Sequence, residues 1–253
     1  MNKKKLLSLA MALAMNYQVN AQPAQKDSVA ARYNELEQRV TALEEDVRLQ
    51  KVWSRKKYLN IAYVSQSLKD KQDGGKLKSD FGVSLVRGKT YYLHAKPLWG
   101  MVKIGIDWTQ VDLNYVKYKD IVIDTPNGES SLTTHQFEYS MHIGPSITVN
   151  PVDYLLVNVY GRYAPSFSGI YSVNGDSHEF GPSFVSYLIF GGTVSYKTIS
   201  LGVETRFGNG KFKMWTADED NIDQNTSSID DALTTSSRKK TMHSTRIYLS
   251  LRF

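Results

Sequence analysis

His243-Ser244-Thr245 puts an imidazole beside two hydroxyls, the residue types that supply base and nucleophile in acyl transfer. No carboxylate clearly shares the face of His243 to orient its ring, so an interfacial histidine is favoured over a catalytic one. His178-Glu179 lacks the second histidine of a zinc-protease helix. Asp218, Glu219, Asp220 and Asp223 crowd one stretch with oxygen ligands that suit calcium, but the glycine and spacing of a calcium loop are absent. There is no cysteine, which removes thiolate zinc sites, disulfides, a cysteine nucleophile and a lipidated cysteine after an export segment. The expectation is therefore no metal, no cofactor and no enzymatic activity.

The elements that would position any such site alternate. Phe137, Tyr139, Met141, Ile143, Pro145, Ile147 and Val149 share one face of a strand, while Gln136, Glu138, Ser140, His142 and Thr148 share the other. Pro145 predicts a local irregularity, because it removes a ladder donor. The same two-residue period predicts eight strands at 57–68, 80–94, 99–117, 132–149, 152–165, 183–196, 199–215 and 241–253, with phase lost partway along the second and third. Connections alternate between short (95–98, 150–151, 197–198) and long (69–79, 118–131, 166–182, 216–240). The fold class implied is all-β: an eight-stranded antiparallel up-and-down transmembrane β-barrel over residues 57–253, preceded by a short N-terminal helix.

The polar walls carry Lys103, Asp107, Glu138, Arg162, Glu204, Arg206, Arg246 and Arg252. A mid-membrane Arg or Lys facing lipid costs on the order of 2–4 kcal/mol. Inside, opposite charges can pair, and the interior of an eight-stranded barrel is just wide enough for side chains to fill. These eight residues are therefore expected to form a lumenal charge network that plugs the barrel. The competing arrangement is a soluble barrel with apolar groups inside.

Residues 1–21 have the three parts of an export signal: Lys3, Lys4 and Lys5, an apolar run from Leu6 to Met15, and Val19-Asn20-Ala21 before a cleavage point. Residues 22–56 are then a periplasmic segment whose core, 27–52, reads as helix. Val29, Tyr33, Leu36, Val40, Leu43 and Val47 recur as a coiled-coil seam, suited to self-association or to a periplasmic protein partner; the alternative is an amphipathic helix that rests on the barrel rim or on nothing. Asp27 is placed to cap the helix start, and Asp27-Ser28-Val29 also has the form of a short O-glycosylation sequence. The net charge of +6 falls to +3 without Lys3, Lys4 and Lys5, which gives no argument for nucleic acid. Sixteen tyrosines suit a membrane–water boundary, and a mean hydropathy of -0.38 is compatible with strands that show lipid only every second residue.

Taken with the signal and the eight strands, Arg246-Ile247-Tyr248-Leu249-Ser250-Leu251-Arg252-Phe253 resembles the end of a small OmpA/OmpX-type outer-membrane barrel. Gly88-Lys89-Thr90-Tyr91-Tyr92-Leu93-His94 and the N-terminal helix are similar to barrels of Bacteroidota. The resemblance implies that Phe253, Leu251 and Leu249 form the signal read by the barrel-assembly machinery. It also implies outer-membrane lipid and lipopolysaccharide as surroundings. Lys69, Lys71, Lys76 and Lys78 in the first long loop could then pair with lipid phosphates, although solvation alone also accounts for them. A structural or interaction role follows, with a narrow porin-like channel or a lipid-A-modifying enzyme as alternatives on the same fold.

Overall fold

A strand with one apolar and one polar wall needs a different environment on each side, and closing the sheet on itself supplies two. The computed structural model describes residues 23–70, 74–125, 128–174, 177–217 and 233–253. Helix α1 (Pro23–Trp53) forms one unit, and the strands belong to a second. They are β1 (Lys57–Asp70), β2 (Lys76–Tyr92), β3 (Val102–Tyr118), β4 (Ile121–Thr125), β5 (Gly128–Val152), β6 (Leu155–Asn174), β7 (Ser177–Tyr196), β8 (Ile199–Ala217) and β9 (Leu233–Arg252). β1 pairs with both β2 and β9, and β3 pairs with β5, so eight antiparallel strands close into a ring; β4 adds to β5 outside that ring. Among the described residues no helix is long and apolar enough to cross a membrane.

The strands run further than alternation predicts. β5 to β9 extend well into the expected loops 118–131, 166–182 and 216–240. Each added cross-strand pair satisfies backbone groups, so a ladder continues without an apolar wall to drive it. A membrane strand needs only about 9–11 residues, so strands of 19 to 25 residues carry the sheet past the hydrocarbon at the hairpin end. Pro145 leaves the register unchanged, with Ile106 its partner on β3, but the ladder to β6 is interrupted beside it: between the pairs Ile143–Tyr163 and Ser146–Tyr160, Gly144 and Pro145 have no partner on β6. The phase loss in β2 and β3 does have a cause, register shifts between Ser79 and Phe81 on β2 and between Thr109 and Asp112 on β3.

The two walls are inverted relative to a soluble barrel. Ile61, Leu85, Ile143, Leu188, Leu201 and Leu249 stand on the outer wall, 44–63% exposed, whereas Arg206 and Arg246 inside are 0% exposed. An apolar wall around the whole circumference, with guanidinium groups buried within, is stable where lipid is the outer solvent. This removes the soluble-barrel alternative.

α1 begins at Pro23, four residues before Asp27, so Asp27 lies within the helix and does not cap it. Tyr33, Leu36, Val40, Leu43 and Val47 are exposed on α1; the side chain of Val29 lies outside the described residues. Arg39 pairs with Glu35 one turn earlier at 2.8 Å. The export segment 1–21 also lies outside the described residues.

Candidate functional site

The interior is built from every second residue of eight strands, and it has two layers. Toward the short-turn end, Asp107 accepts from Arg162 at 2.8 Å and from Thr90 at 2.6 Å. Asp112 accepts from Arg246 at 2.7 Å and lies 3.0 Å from His142. Arg246 also reaches Glu204 at 3.3 Å, and Arg206 donates to Glu138 at 2.5 Å. Four carboxylates thus meet three arginines, each of these side chains at most 5% exposed. Removing one member of such a set strands a buried charge, at a cost of about 3–5 kcal/mol.

Tyrosines tie this cluster to the wall. Tyr187 donates to Glu138 at 2.5 Å and Tyr160 to Glu204 at 2.9 Å, while Tyr248 bonds both Tyr160 (2.8 Å) and Thr193 (2.6 Å). The Arg162 guanidinium lies 3.6 Å from the Tyr160 ring centroid, and Arg206 lies 4.1 Å from that of Tyr187. Each ring needs floor space. Tyr160, Tyr187 and Tyr248 lie over Gly191, Gly208 and Gly202, their direct partners on the neighbouring strand.

Toward the hairpin end the polar filling expected along the lumen gives way to an apolar layer. Val64, Leu68, Val116, Ile170, Val185, Phe212 and Met242 pack together there. Gln136 marks the boundary, taking a hydrogen bond from Gln66 at 2.9 Å and donating to Ser168 at 2.7 Å. Above the layer a cavity of about 190 Å³ opens among the strand ends, lined by residues that include Leu77, Ile121, Leu132, Glu179, Arg238 and Lys240.

Of the eight charges expected in one network, Asp107, Glu138, Arg162, Glu204, Arg206 and Arg246 are brought together. Lys103 and Arg252 also face inward but stand apart at the turn end: Lys103 donates to the Ala95 carbonyl at 2.6 Å, and Arg252 stands beside Tyr92. Asp112 and His142 are further members; His142 was readable on the polar wall of its strand, but Asp112 was hidden by the shift in β3. The tyrosines expected at the membrane boundary are divided, with Tyr58, Tyr118, Tyr160, Tyr187 and Tyr248 buried inside.

Leu249, Leu251 and Phe253 line the outer wall, and Phe253 exchanges two backbone hydrogen bonds of 3.0 Å with Lys57. His243 also faces outward, against Phe207 and 3.3 Å from Thr205, whereas Ser244 is buried inside. Opposite walls separate that imidazole from the adjacent serine. Among the described residues no group of His, Asp and Glu is arranged to hold a metal ion. The acidic stretch 218–223 lies outside the described residues.

No protein-family model matches the chain. No curated protein matches it either. Among solved structures it is similar to Neisserial surface protein A (10% identity, 78% of this chain, 97% of that chain, TM-score 0.42). It is similar to the outer membrane protease OmpT of Escherichia coli (10%, 78%, 97%, TM-score 0.45). A third is Ail, the attachment invasion locus protein of Yersinia pestis, in complex with the heparin analogue sucrose octasulfate (10%, 78%, 98%, TM-score 0.36). With every TM-score below 0.5, these likenesses assign no role, and the fold rests on the chain's own strand pairing and burial. By that pairing and burial the chain is an inside-out, eight-stranded up-and-down membrane β-barrel, the architecture of small OmpA/OmpX-type proteins.

Proposed function

We propose that the protein is an integral outer-membrane barrel with a closed lumen, acting as a structural or interaction module through the surfaces at its two ends. The observation that carries this reading is the interior. Arg206, Arg246, Asp112 and Glu138 are at most 4% exposed and mutually bonded, and a second, apolar layer lies across the same lumen. A solute path would have to break both. On this reading α1 is periplasmic; the export segment read at 1–21 and the short turns on the side where β1 begins support it.

Folded protein in a planar bilayer tests the closed lumen. No steady conductance is expected, and reproducible single-channel steps would replace this reading with a narrow channel. Fractionation of native cells tests location, with recovery in the outer-membrane fraction expected and recovery in a detergent-free periplasmic extract overturning it.

The exposed seam of α1 is assigned on the same reading to a second copy of the chain. Its apolar residues repeat every three and four positions, the spacing a like helix matches, and the seam residues from Tyr33 to Val47 are each more than half exposed.

A further inference from the structure

Just beyond the apolar wall at the hairpin end, the outer surface is not the same all the way round. On β8, Lys211 and Lys213 point outward, four and six residues past Phe207. On β9 it is Lys239, and on β1 Lys69. β2 contributes Lys76 and Lys78, and β3 contributes Lys117, two residues past Tyr115. In ring order β8, β9, β1, β2 and β3 are consecutive neighbours, so the lysines form one continuous arc. The remaining strands, β5, β6 and β7, contain no lysine, and their single arginine, Arg162, is buried inside. At the corresponding height they show His135, Tyr171, His178 and Phe180 to the outside.

Within the arc, lysines face each other directly. Lys69 is the cross-strand partner of Lys76, and Lys211 is the partner of Lys239. Such partners stand about 4.5–5.5 Å apart at Cβ, and like charges there destabilise the sheet. Among the described residues few carboxylates offset them. Asp120 lies 3.9 Å from Lys117 and Asp80 is exposed on β2, while Asp70 and Glu179 line the mouth cavity. Among the described residues β8, β9 and β1 bring no carboxylate to this outer wall.

Height identifies the counter-charge. Two to six residues of strand, the spans from Tyr115 to Lys117, Phe207 to Lys211 and Tyr63 to Lys69, rise about 7–20 Å along the strand and less along the membrane normal, because barrel strands tilt by about 35–45°, so Lys69, Lys117 and Lys211 sit where an outer leaflet places its headgroups. We infer that the arc is a binding surface for phosphorylated glycolipid headgroups of the outer leaflet, held by charge pairing along one half of the circumference. This rests on the membrane placement proposed above.

The test uses the whole protein in nanodiscs of phosphatidylcholine alone, with bis-phosphorylated lipid A, or with dephosphorylated lipid A. The variant carries Lys69→Gln, Lys76→Gln, Lys211→Gln and Lys239→Gln. Phosphorylated lipid A is expected to raise the wild-type unfolding temperature and to co-purify with the protein at least tenfold over the variant, with both effects falling as salt rises. In phosphatidylcholine alone the variant is expected to be at least as stable as wild type, since its opposed charges are gone. An equal response to dephosphorylated lipid A, an undiminished response in the variant, or an equal response to a soluble sulfated oligosaccharide over phosphatidylcholine would each overturn the proposal. Failure to enter discs at all would overturn the membrane placement and this proposal with it, whereas entry without discrimination overturns this proposal alone.

Discussion

Gly202 and Tyr248 face each other across the β8–β9 ladder, and the tyrosine ring occupies the space that a side chain at position 202 would need. Tyr248 is thereby laid toward Tyr160 and Thr193, so a missing methyl group on one strand sets two hydrogen bonds on the others. Gly202→Ala is expected to destabilise the barrel by about 1–3 kcal/mol, the usual cost of overpacking. Gly192→Ala, where a new Cβ would meet nothing closer than 3.5 Å, serves as the neutral comparison. Urea unfolding in lipid vesicles measures both.

Arg246 stands between Asp112 and Glu204. Arg246→Met alone is expected to cost about 3–5 kcal/mol, because two buried carboxylates lose their shared cation. The triple change Asp112→Asn, Glu204→Gln and Arg246→Met should recover part of that loss, with non-additivity of about 0.5–3 kcal/mol. A single variant within about 0.5 kcal/mol of wild type would show that the cluster does not hold the lumen together.

Much of the barrel was legible because lipid and lumen demand opposite side chains at alternate positions. Arg162, Glu204, Arg206 and Arg246 could be assigned inward from that period alone. Asp112 could not. Strict alternation from Asp107 and Thr109 puts position 111 inside, but the register shift before Asp112 turns Asp112 and Asn114 inward instead. The apolar layer escaped for another reason. Val64 and Leu68 lie inside while Ile61 and Tyr63 lie outside, so that length of β1 is apolar on both walls and shows no contrast. Pairing beyond the membrane left no contrast to read either, since its residues face water on at least one wall.

A chain without cysteine makes the helix testable with one substitution. Val40→Cys on the exposed seam is expected to give a disulfide-linked dimer in mildly oxidised native membranes. Ala42→Cys, off the seam, is expected to give far less. Equal yields from the two positions would argue against pairing of copies through α1.

Phe253→Ala is expected to slow appearance of the folded barrel in cells, the consequence of weakening an assembly signal with Leu251 and Leu249. Its outward side chain makes little of the lumen, so stability after refolding should move by no more than about 0.5 kcal/mol. Pulse-labelling followed by the heat-modifiability shift on gels separates rate from stability. An unchanged rate would remove the signal role.

His243→Ala is expected to leave lipid A unaltered in a host expressing the protein, as is the wild type itself, because the cross-strand partners of that histidine are Ser67 and Phe207 and, among the described residues, no carboxylate on β1, β8 or β9 shares its outer wall to orient the ring. Mass spectrometry of extracted lipid A reads this directly. A new acyl or phosphate modification that depends on His243 would restore the enzymatic alternative.

A cylinder that is uniform around its axis has no bearing in the plane of the membrane. The division between lysines on five strands and aromatic and histidine side chains on three gives this one a compass direction. Neighbouring proteins and anionic lipids would meet different sides of it, so rotation about the membrane normal becomes an orienting degree of freedom. Two such barrels would approach more readily through their uncharged sides, with the anionic lipids sorted to the far flanks.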